Sequence, residues 1–453
     1  MKTQTSKTIE LTITAALALC LVVPLAIRTA AQDNRHRKVA IITFDPPGST
    51  LTLAFAINPA GTIAGYFFDA SSVAHGFLRA PGGTFTTFDA PGAGTGVGQG
   101  TAVYSINPGG ALSGITIDAS NVVHGFLRAR DGTFTTFDAP EAGTSHYQGT
   151  YAYNINPEGA IAGQSRDASN VYHGFLRTPD GGITLFEAPG AGTVPGQGTV
   201  VASVEGLNAE GAIAVGYVNT GDLLSGTQVL QGAVRAPDGS FTEFDVPGAG
   251  TGPGQGTYVA GINAAGTIPG NYTDSSGVNH GFVRARDGEI TEFDVPGAGT
   301  GSGQGTFGQN INTPGDVDGM YIDGSGVAHG FLRTKHGAIT TFDVPGAGTA
   351  SGQGTFPQQN NPADAITGWY IDANGVQHGF LRTPCGRERG QDYRKGCEDD
   401  DQGVTAETRA NPASIMQSPR TENQLNPGFP GLSPMLGRLL PRYRNVSAQP
   451  ATP

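Results

Sequence analysis

The sequence has few charged residues and very little cysteine, methionine or tryptophan. Charged residues make up 14% of 453 positions, and the chain contains three cysteines, four methionines and one tryptophan. The net charge is −12. This balance argues against nucleic acid binding, because phosphates are recognised by stripes of lysine and arginine. The sequence also has no polybasic patch that would indicate an anionic membrane, and after the N-terminus it has no long pattern of helical period.

Several catalytic signatures are also missing from the sequence. It contains no G-x-S-x-G, no H-E-x-x-H and no cysteine or histidine set with metal-ligand spacing. The glycine-rich stretch 88–101 looks like a phosphate-binding loop, but it has no lysine and no helix is predicted after it. We therefore expect no nucleotide site. The sequence leaves open a pair of carboxylates for glycoside hydrolysis, although no carboxylate stands out as unique to one part of the chain.

Glycine, in contrast, is abundant, and the chain repeats itself. There are 71 glycines without the three-residue period of collagen. A His-Gly-Phe core recurs in steps of 49 residues, with one step of 58, and a degraded copy starts at Gln231. The histidines of this core are His75, His124, His173, His280, His329 and His378. A fixed period of this length predicts stacked or radially arranged units.

Each repeat contains four short runs that read as β-strands. In the second copy the runs are 101–106, 111–117, 122–128 and 133–137. They are rich in β-branched and aromatic residues, and turn-forming residues such as Gly, Asn, Asp and Pro separate them. Because the linkers have hairpin length, we expect the four strands to form an antiparallel meander.

Four short strands per repeat predict an all-β fold, a seven-bladed β-propeller with four-stranded antiparallel blades. A Phe-Asp element, the Asn of the first turn and the Arg of the third strand each occur seven times, with Glu replacing the Asp once. The chain starts with a fourth strand, 38–45, and its last repeat ends after a third strand, 376–382. We expect these two strands to pair and close the ring, which removes an open sheet edge. The alternative, an open β-solenoid, would need caps at both ends.

The domain organisation follows from the sequence that flanks the repeats. Residues 1–31 predict a signal peptide, with Lys2 and Lys7, an apolar run over 11–27 and small residues before Gln32. A membrane anchor is the alternative, but the run is short and contains Pro24. We therefore predict a secreted, extracellular or periplasmic protein of the bacterial envelope, with no stable membrane span after cleavage. Removing residues 1–31 takes the net charge from −12 to −14, because they carry +2.

The repeats occupy 38–382, and the tail 383–453 leaves the repeat pattern. It is charged and polar, so we predict that it is largely disordered, with contact to a partner or the cell wall as the alternative. After export two cysteines remain, Cys385 and Cys397, and an even count outside the cytosol allows a disulfide between them. A zinc site at these two cysteines would need two further ligands, and the sequence has none at suitable spacing.

The repeat resembles the secreted bacterial HAF repeat, named for its His-Ala-Phe core. The shared features are the pattern IN-x-x-G-x-I-x-G, which reads INPGGALSG from Ile106, an Asp-containing turn, and HGFLR from His124. The resemblance covers 38–382. Here glycine replaces the central alanine, and arginine stands where the family often has tryptophan. The resemblance implies an exported repeat protein with propeller-like repeats and no established chemistry.

Residues that recur in every repeat are expected to maintain the fold. We predict that the repeated histidines are structural, each a buried imidazole bonded to backbone or to a neighbouring turn. Histidines on separate blades cannot chelate one metal. The repeated arginines either pair with a turn carboxylate such as Asp131 or form an anion-attracting ring. The turn aspartates either cap backbone N–H groups or bind calcium through oxygen ligands. These aspartates are Asp69, Asp118, Asp167, Asp274, Asp323 and Asp372.

The repeat is broken once, over 187–231, where the unit gains three residues before Asn208 and six before Gln231. Sequence drift is one explanation. The other is a binding site whose rim would include Asn219, Asp222 and Gln228 in the longer loop.

We predict a non-catalytic extracellular platform that binds a carbohydrate, a protein or a surface component, with no cofactor other than a calcium ion. The alternative is a propeller enzyme acting on a polysaccharide or a lactone, with carboxylates and calcium in the axial funnel. A third reading is a structural protein of the cell envelope.

Overall fold

The computed structural model describes residues 39–202 and 205–385, and these residues form 28 β-strands in one propeller-like sheet. Within the described ranges no helix occurs, so none of these segments could cross a membrane as a long apolar helix. The predicted signal peptide, nearly all of the predicted tail, and Cys397 lie outside the described residues. Cys385 is disulfide-bonded.

The strands follow one another in four-stranded units, as the sequence predicts. First strands are β2 (Leu51–Ile57), β6 (Gly100–Ile106), β10 (Gly149–Ile155), β14 (Gly198–Val201), β18 (Gly256–Val259), β22 (Gly305–Ile311) and β26 (Gly354–Asn360). Second strands are β3 (Ile63–Phe68), β7 (Leu112–Ile117), β11 (Ile161–Arg166), β15 (Ile213–Thr220), β19 (Ile268–Thr273), β23 (Val317–Ile322) and β27 (Ile366–Ile371). Third strands are β4 (Ala74–Arg79), β8 (Val123–Arg128), β12 (Tyr172–Arg177), β16 (Val229–Arg235), β20 (Asn279–Arg284), β24 (Ala328–Arg333) and β28 (Gln377–Pro384). The fourth-strand position is occupied by β5 (Phe85–Phe88), β9 (Phe134–Phe137), β13 (Ile183–Phe186), β17 (Phe241–Phe244), β21 (Ile290–Phe293), β25 (Ile339–Phe342) and β1 (Val39–Phe44).

Within a unit, consecutive strands pair antiparallel, for example β6 with β7, β7 with β8 and β8 with β9. A single parallel bridge links the third strand of a unit to the first strand of the next, such as Val123 to Gly149. The last unit differs because its fourth strand comes from the beginning of the chain: β1 pairs antiparallel with β28 from Val39–Pro384 to Phe44–Gly379. The third strand of this unit, β28, continues to Pro384, two residues beyond the predicted end.

Two ends of the sheet can be distinguished from the order of the turns. One end carries the Asp-containing turns between second and third strands together with the loops that join units; we call it the turn face. Loop and turn touch there, since Gly98 N donates to Ser72 O at 2.9 Å. The other end carries the Asn turns between first and second strands, and we call it the Asn face.

Glycine is required where the third and fourth strands and the next unit crowd together. A Cβ added at Gly125 would lie 2.9 Å from the ring of Phe137 on β9 and 3.2 Å from Thr150 of the next unit. Side chains larger than hydrogen are therefore excluded at this position of the HGFLR core. The next unit approaches closely here, and the ring of the unit's own fourth strand adds to the crowding.

The core contains one fully buried phenylalanine from the third strand of nearly every unit. They are Phe77, Phe126, Phe175, Phe282, Phe331 and Phe380, each 0% exposed. A second, aromatic-rich cluster is built from the remaining units but contains no residue of 198–282; its largest members are Phe55, Tyr66, Tyr104, Tyr153, Phe307, Phe356 and Trp369. The interior is thus filled differently beside β14–β15 and β18–β19.

The repeated arginines fix each unit on the previous one. Arg128 Cζ lies 4.6 Å from the centroid of the Phe88 ring, which belongs to the preceding unit. Across the chain these cation–π distances are 4.6–5.0 Å, for Arg79 on Phe44, Arg128 on Phe88, Arg177 on Phe137, Arg235 on Phe186, Arg284 on Phe244, Arg333 on Phe293 and Arg382 on Phe342. The sequence suggested Asp131 as the partner of Arg128, and the two charges do interact. In addition, the guanidinium stacks on the partly buried Phe88 ring, a cation–π contact that the sequence did not indicate.

The seven asparagines of the first turns form a second connection between units, on the Asn face. Each Oδ1 accepts the backbone N–H four residues later, as Asn263 does from Thr267 at 3.0 Å. Six of the side chains also donate from Nδ2 to the carbonyl of the next unit's asparagine. These bonds are 3.1–3.3 Å and run Asn107 to Asn156, Asn156 to Asn208, Asn208 to Asn263, Asn263 to Asn312, Asn312 to Asn361, and Asn361 to Asn58.

Candidate functional site

The repeated histidines lie on the turn face, each between two carboxylates of its own unit. His124 Nδ1 is 2.9 Å from Asp138 Oδ1, and Nε2 is 3.6 Å from Asp118 Oδ2. All six follow this arrangement, with Nδ1 distances of 2.6–3.1 Å to Asp89, Asp138, Glu187, Asp294, Asp343 and Asp45. Their side chains are 20–30% exposed, so they are less buried than the sequence suggested.

Hydrogen bonding to a carboxylate changes the titration of three of these histidines. The bond to Asp138 raises the pKa of His124 above its ordinary value, the bond to Glu187 raises the pKa of His173, and the bond to Asp45 raises the pKa of His378. In each case burial opposes the shift, and the carboxylate outweighs it because an opposite charge at this distance favours the imidazolium.

The turn aspartates predicted as metal ligands are separated, one per unit. Asp118 Oδ1 accepts the N–H groups of Ser120 and Val122, both at 2.8 Å, while Oδ2 faces the histidine. Asp69, Asp167, Asp274, Asp323 and Asp372 cap their turns in the same way. Over 39–202 and 205–385, no group of three or more His, Cys, Asp or Glu residues is arranged to hold a metal. Calcium binding at these turns stays a prediction.

The structure separates the three residues predicted for the rim of the divergent unit. Asn219 is exposed at the end of β15, and Asp222 caps the next turn by accepting the Leu224 N–H at 2.7 Å. Gln228, which is 2% exposed, precedes β16 and lines a cavity on the turn face. Of the three, therefore, only Gln228 takes part in the cavity.

This cavity has a volume of about 420 Å³ and lies between the β14–β17, β18–β21 and β22–β25 units. It opens where the aromatic cluster has no member from 198–282. The lining comprises Gln228, Leu230, Pro253, Gly254, Gln255, Gly256, Tyr258, Asn271, Thr273, Ser275, Ser276, Gly277, Asn279, Ser302, Gly303 and Phe307. Within the described part of the chain, no charged side chain belongs to this lining. Amides, hydroxyls and two aromatic rings dominate it.

A network of amides forms the wall contributed by β19 and β20. Asn271 Nδ2 donates to Asn279 Oδ1 at 3.3 Å, Thr273 Oγ1 donates to the same oxygen at 2.9 Å, and Asn279 Nδ2 donates to Gln304 O at 3.1 Å. Asn271 is 2% exposed, and its Oδ1 has no hydrogen-bond partner in the described part of the chain. An unpaired buried acceptor costs about 1–3 kcal/mol, so a ligand hydroxyl that donates to it would be favoured.

These polar residues break the repeat at positions that are apolar in most other units. The position of Asn271 holds Tyr66, Ile115, Met320 and Trp369 elsewhere, and that of Thr273 holds Phe68, Ile117, Ile322 and Ile371. The sequence interpretation missed them because it looked for insertions. Comparing the repeats column by column along the second strand would have singled them out.

A second asymmetric site lies at the centre of the Asn face. A smaller cavity of about 140 Å³ is enclosed by the first-turn residues of all the units, and Glu205 lines it. Glu205 has a positive φ of 43°, unusual for a residue with a side chain. Its carbonyl accepts the Ile262 N–H at 3.0 Å, and its Oε1 accepts a hydrogen bond from Gln359 Nε2. The residues gained before Asn208 therefore direct a carboxylate from the β14–β17 unit to β26.

A second carboxylate is buried nearby. Asp318 lies on β23 directly opposite Asn310 on β22, is 0% exposed, and neither of its carboxylate oxygens has a hydrogen-bond partner among the residues described. Burial, with the negative charge of Glu205, holds the pKa of Asp318 well above its ordinary value. Burial likewise raises the pKa of Glu205 to about 7. The position of Asp318 is Ala, Ser, Pro or Thr in the other units.

Comparison with known proteins does not assign this chain to a family. No family model matches the chain, and no curated protein matches its sequence. Among solved structures, the β-propeller domain of the Trilobed protease from Pyrococcus furiosus is 9% identical, with a TM-score of 0.47 over 76% of this chain and 97% of that chain. A puromycin hydrolase is 12% identical, with a TM-score of 0.42, and this chain spans 57% of its length. A six-bladed fungal lectin, Aleuria aurantia lectin, is 14% identical, with a TM-score of 0.28 over 78% of this chain and 97% of that chain. Similarities of this extent support no statement about ligand or activity.

Proposed function

We propose that the 28 strands form a closed propeller of seven blades. Three observations support closure: β1 pairs with β28, Arg79 stacks on Phe44, and Asn361 donates to the carbonyl of Asn58. The first contact completes the last unit with a strand from the beginning of the repeats, and the other two join that unit to the first one. A closed ring leaves no unpaired strand edge between the first and last units.

We also propose that the chain is an exported HAF-type repeat protein of the bacterial envelope. The support is the repeated INPGGALSG and HGFLR pattern and the charged, apolar and small-residue order of 1–31.

We propose that this protein is a non-catalytic binding platform whose turn face holds a neutral carbohydrate. The observation that carries the proposal is the cavity of about 420 Å³ with an uncharged lining of amides and hydroxyls, in which the buried Asn271 Oδ1 has no hydrogen-bond partner among the residues that the structure describes. Sugars present hydroxyl groups that both donate and accept, and their C–H faces pack on aromatic rings such as Tyr258 and Phe307. Pockets of this size with a few directed polar groups are typical of small-ligand sites.

The chemistry of the lining favours binding over the enzymatic alternative. Glycoside hydrolysis requires two carboxyl groups beside the scissile bond. No carboxylate lines the larger cavity, and Asp318 is fully buried elsewhere. The cavity would also reject anionic sugars, because it offers them no cation.

Glycan-array binding by the full exported protein, with and without calcium, tests this function. We expect neutral glycans to bind and the variants Asn271→Ala and Ser276→Ala to lose about tenfold in affinity, the effect of one or two lost hydrogen bonds. Ser120→Ala is the matched control, because Ser120 occupies the position of Ser276 in another unit, away from the cavity. Equal binding by Asn271→Ala and the control, or no binding to any neutral glycan, would contradict the proposal.

A further inference from the structure

We propose that Glu205, Asp318 and Asn310 bind a divalent cation of the calcium type at the centre of the Asn face. This site is separate from the turn aspartates and from the carbohydrate cavity. It is formed once in the molecule, because neither carboxylate has a counterpart in the other units.

The backbone brings the three side chains together from two units. Asn310 and Asp318 are direct partners across the β22–β23 ladder, and such cross-strand neighbours have Cβ atoms about 5 Å apart. Asn310 Nδ2 donates to Asn360 Oδ1 at 3.0 Å, which joins this pair to β26. Glu205 reaches the same strand through its hydrogen bond from Gln359.

Three acceptor oxygens of this group have no hydrogen-bond donor among the described residues, whereas Glu205 Oε1 accepts one from Gln359. Both Asp318 oxygens and Asn310 Oδ1 are buried, belong to residues that are 0% exposed, and have no hydrogen-bond partner in the described ranges. Buried polar atoms are nearly always paired, so three orphaned acceptors in one place indicate a missing positive partner. No arginine or lysine forms an ion pair with either carboxylate among the described residues.

The donor set has the chemistry of a hard cation site. Calcium takes six to eight oxygen ligands from carboxylates, amide carbonyls and water, with flexible geometry. Two carboxylates would balance its charge, and one amide oxygen with water would complete the shell. Glu205 and Asn360, the hydrogen-bond partner of Asn310, both line the smaller cavity, which offers room for that water beside the group. A cation here would tie the residues around Glu205 to β22 and β23, across the middle of the molecule.

Thermal unfolding of the full exported protein, first stripped with a chelator, tests the site with calcium alone as the probe. We expect calcium to raise the Tm of the wild type, because a ligand that binds only the folded state stabilises it by mass action. Asp318→Asn should keep or raise the calcium-free Tm, since it replaces a buried carboxyl group that has no ion-pair partner among the described residues with a neutral amide of similar size. The same variant should weaken calcium affinity by at least about tenfold, measured by calorimetry.

Glu205→Gln should weaken calcium in the same way, whereas Glu158→Gln, which removes an exposed carboxylate of the Asn face, should bind like the wild type. The proposal is overturned if calcium leaves the Tm of the stripped wild type unchanged. It is also overturned if Asp318→Asn and Glu205→Gln both retain the full calcium shift, because the stabilising ion would then be bound elsewhere, including at the turn aspartates.

Discussion

The repeated contacts and the two asymmetric sites are built differently. In the repeated contacts, a side chain meets the same kind of partner in nearly every unit: imidazole meets carboxylate within a unit, while guanidinium meets a ring and asparagine meets a carbonyl between units. At Asn271 and around Asp318, buried acceptor oxygens have no hydrogen-bond partner among the described residues. A repeated contact is kept because each unit needs it in order to pack. A buried polar group without a partner costs stability. Where such a group occurs only once, it is tolerated most readily if a bound ligand supplies the missing hydrogen bond or charge.

The largest effect is expected from removing a repeated core residue. Phe126→Ala should lower the free energy of unfolding by about 3–5 kcal/mol, because the ring is fully buried and its loss leaves a cavity. Urea denaturation measures the change. Thr135→Ala, on the exposed side of β9, is the control and should change stability little. A loss no greater than that of the control would mean that the third-strand phenylalanines do not carry the core.

An intermediate effect is expected from the asparagine connection. Asn263→Ala removes the acceptor for Thr267 N–H and the donor to Asn312 O. We expect a loss of about 1–3 kcal/mol from the buried groups left unpaired, measured by urea denaturation. Asn374→Ala, in an exposed turn, removes an amide without a role between units. If both variants are equally stable, the connection between asparagines contributes nothing to joining the units.

The smallest effect is a dependence of stability on pH. Glu205 of the asymmetric site and His378 of the repeated contacts contribute to it in different pH ranges. Glu205 has a folded-state pKa of about 7, above its ordinary value near 4.3, so the folded state retains a proton that the unfolded state releases. Calcium-free stability should therefore fall as pH rises between these values and then level off. Glu205→Gln should flatten this part of the profile, and urea midpoints at successive pH values measure it.

His378 shifts the same profile at higher pH. Its pKa is raised by Asp45, so its contribution to stability is complete below the unfolded value near 6.5 and is lost as pH rises through the folded value. His378→Asn should flatten the pH dependence of stability only above the unfolded-state pKa near 6.5.

An unchanged slope below pH ~6.5 in Glu205→Gln would show that Glu205 titrates normally in the folded protein.

Most of the secondary structure could be predicted from the sequence because the repeat supplies the same evidence many times. Strands predicted at 101–106, 111–117, 122–128 and 133–137 begin within one residue of the observed β6, β7, β8 and β9 and end with them. The terminal strand at 38–45 was also predicted next to 376–382, and β1 pairs with β28. Turn formers and alternating apolar residues act locally, so they can be read without the fold.

Partners between units were harder to predict. The sequence predicts a histidine bonded to backbone or to a neighbouring turn, and Asp118 of that turn lies 3.6 Å from His124 Nε2. The shorter contact, to Asp138 directly after β9, joins residues 14 positions apart on the chain. The ring under Arg128 belongs to Phe88 in the preceding unit, about forty residues earlier. Spacing alone favoured the nearby Asp131, and only packing of one unit on another brings guanidinium and ring together.

The sequence by itself determined the repeat, the strands, their turns and the residues that each unit needs. Only the tertiary structure decided which residues that depart from the repeat are buried without a partner. Glu205 and Asp318 are more than a hundred positions apart in the sequence, and in the folded chain the charge of Glu205 acts on Asp318. Asn271 differs from its counterparts in the other repeats, but it matters because burial removes the water that would otherwise satisfy its oxygen.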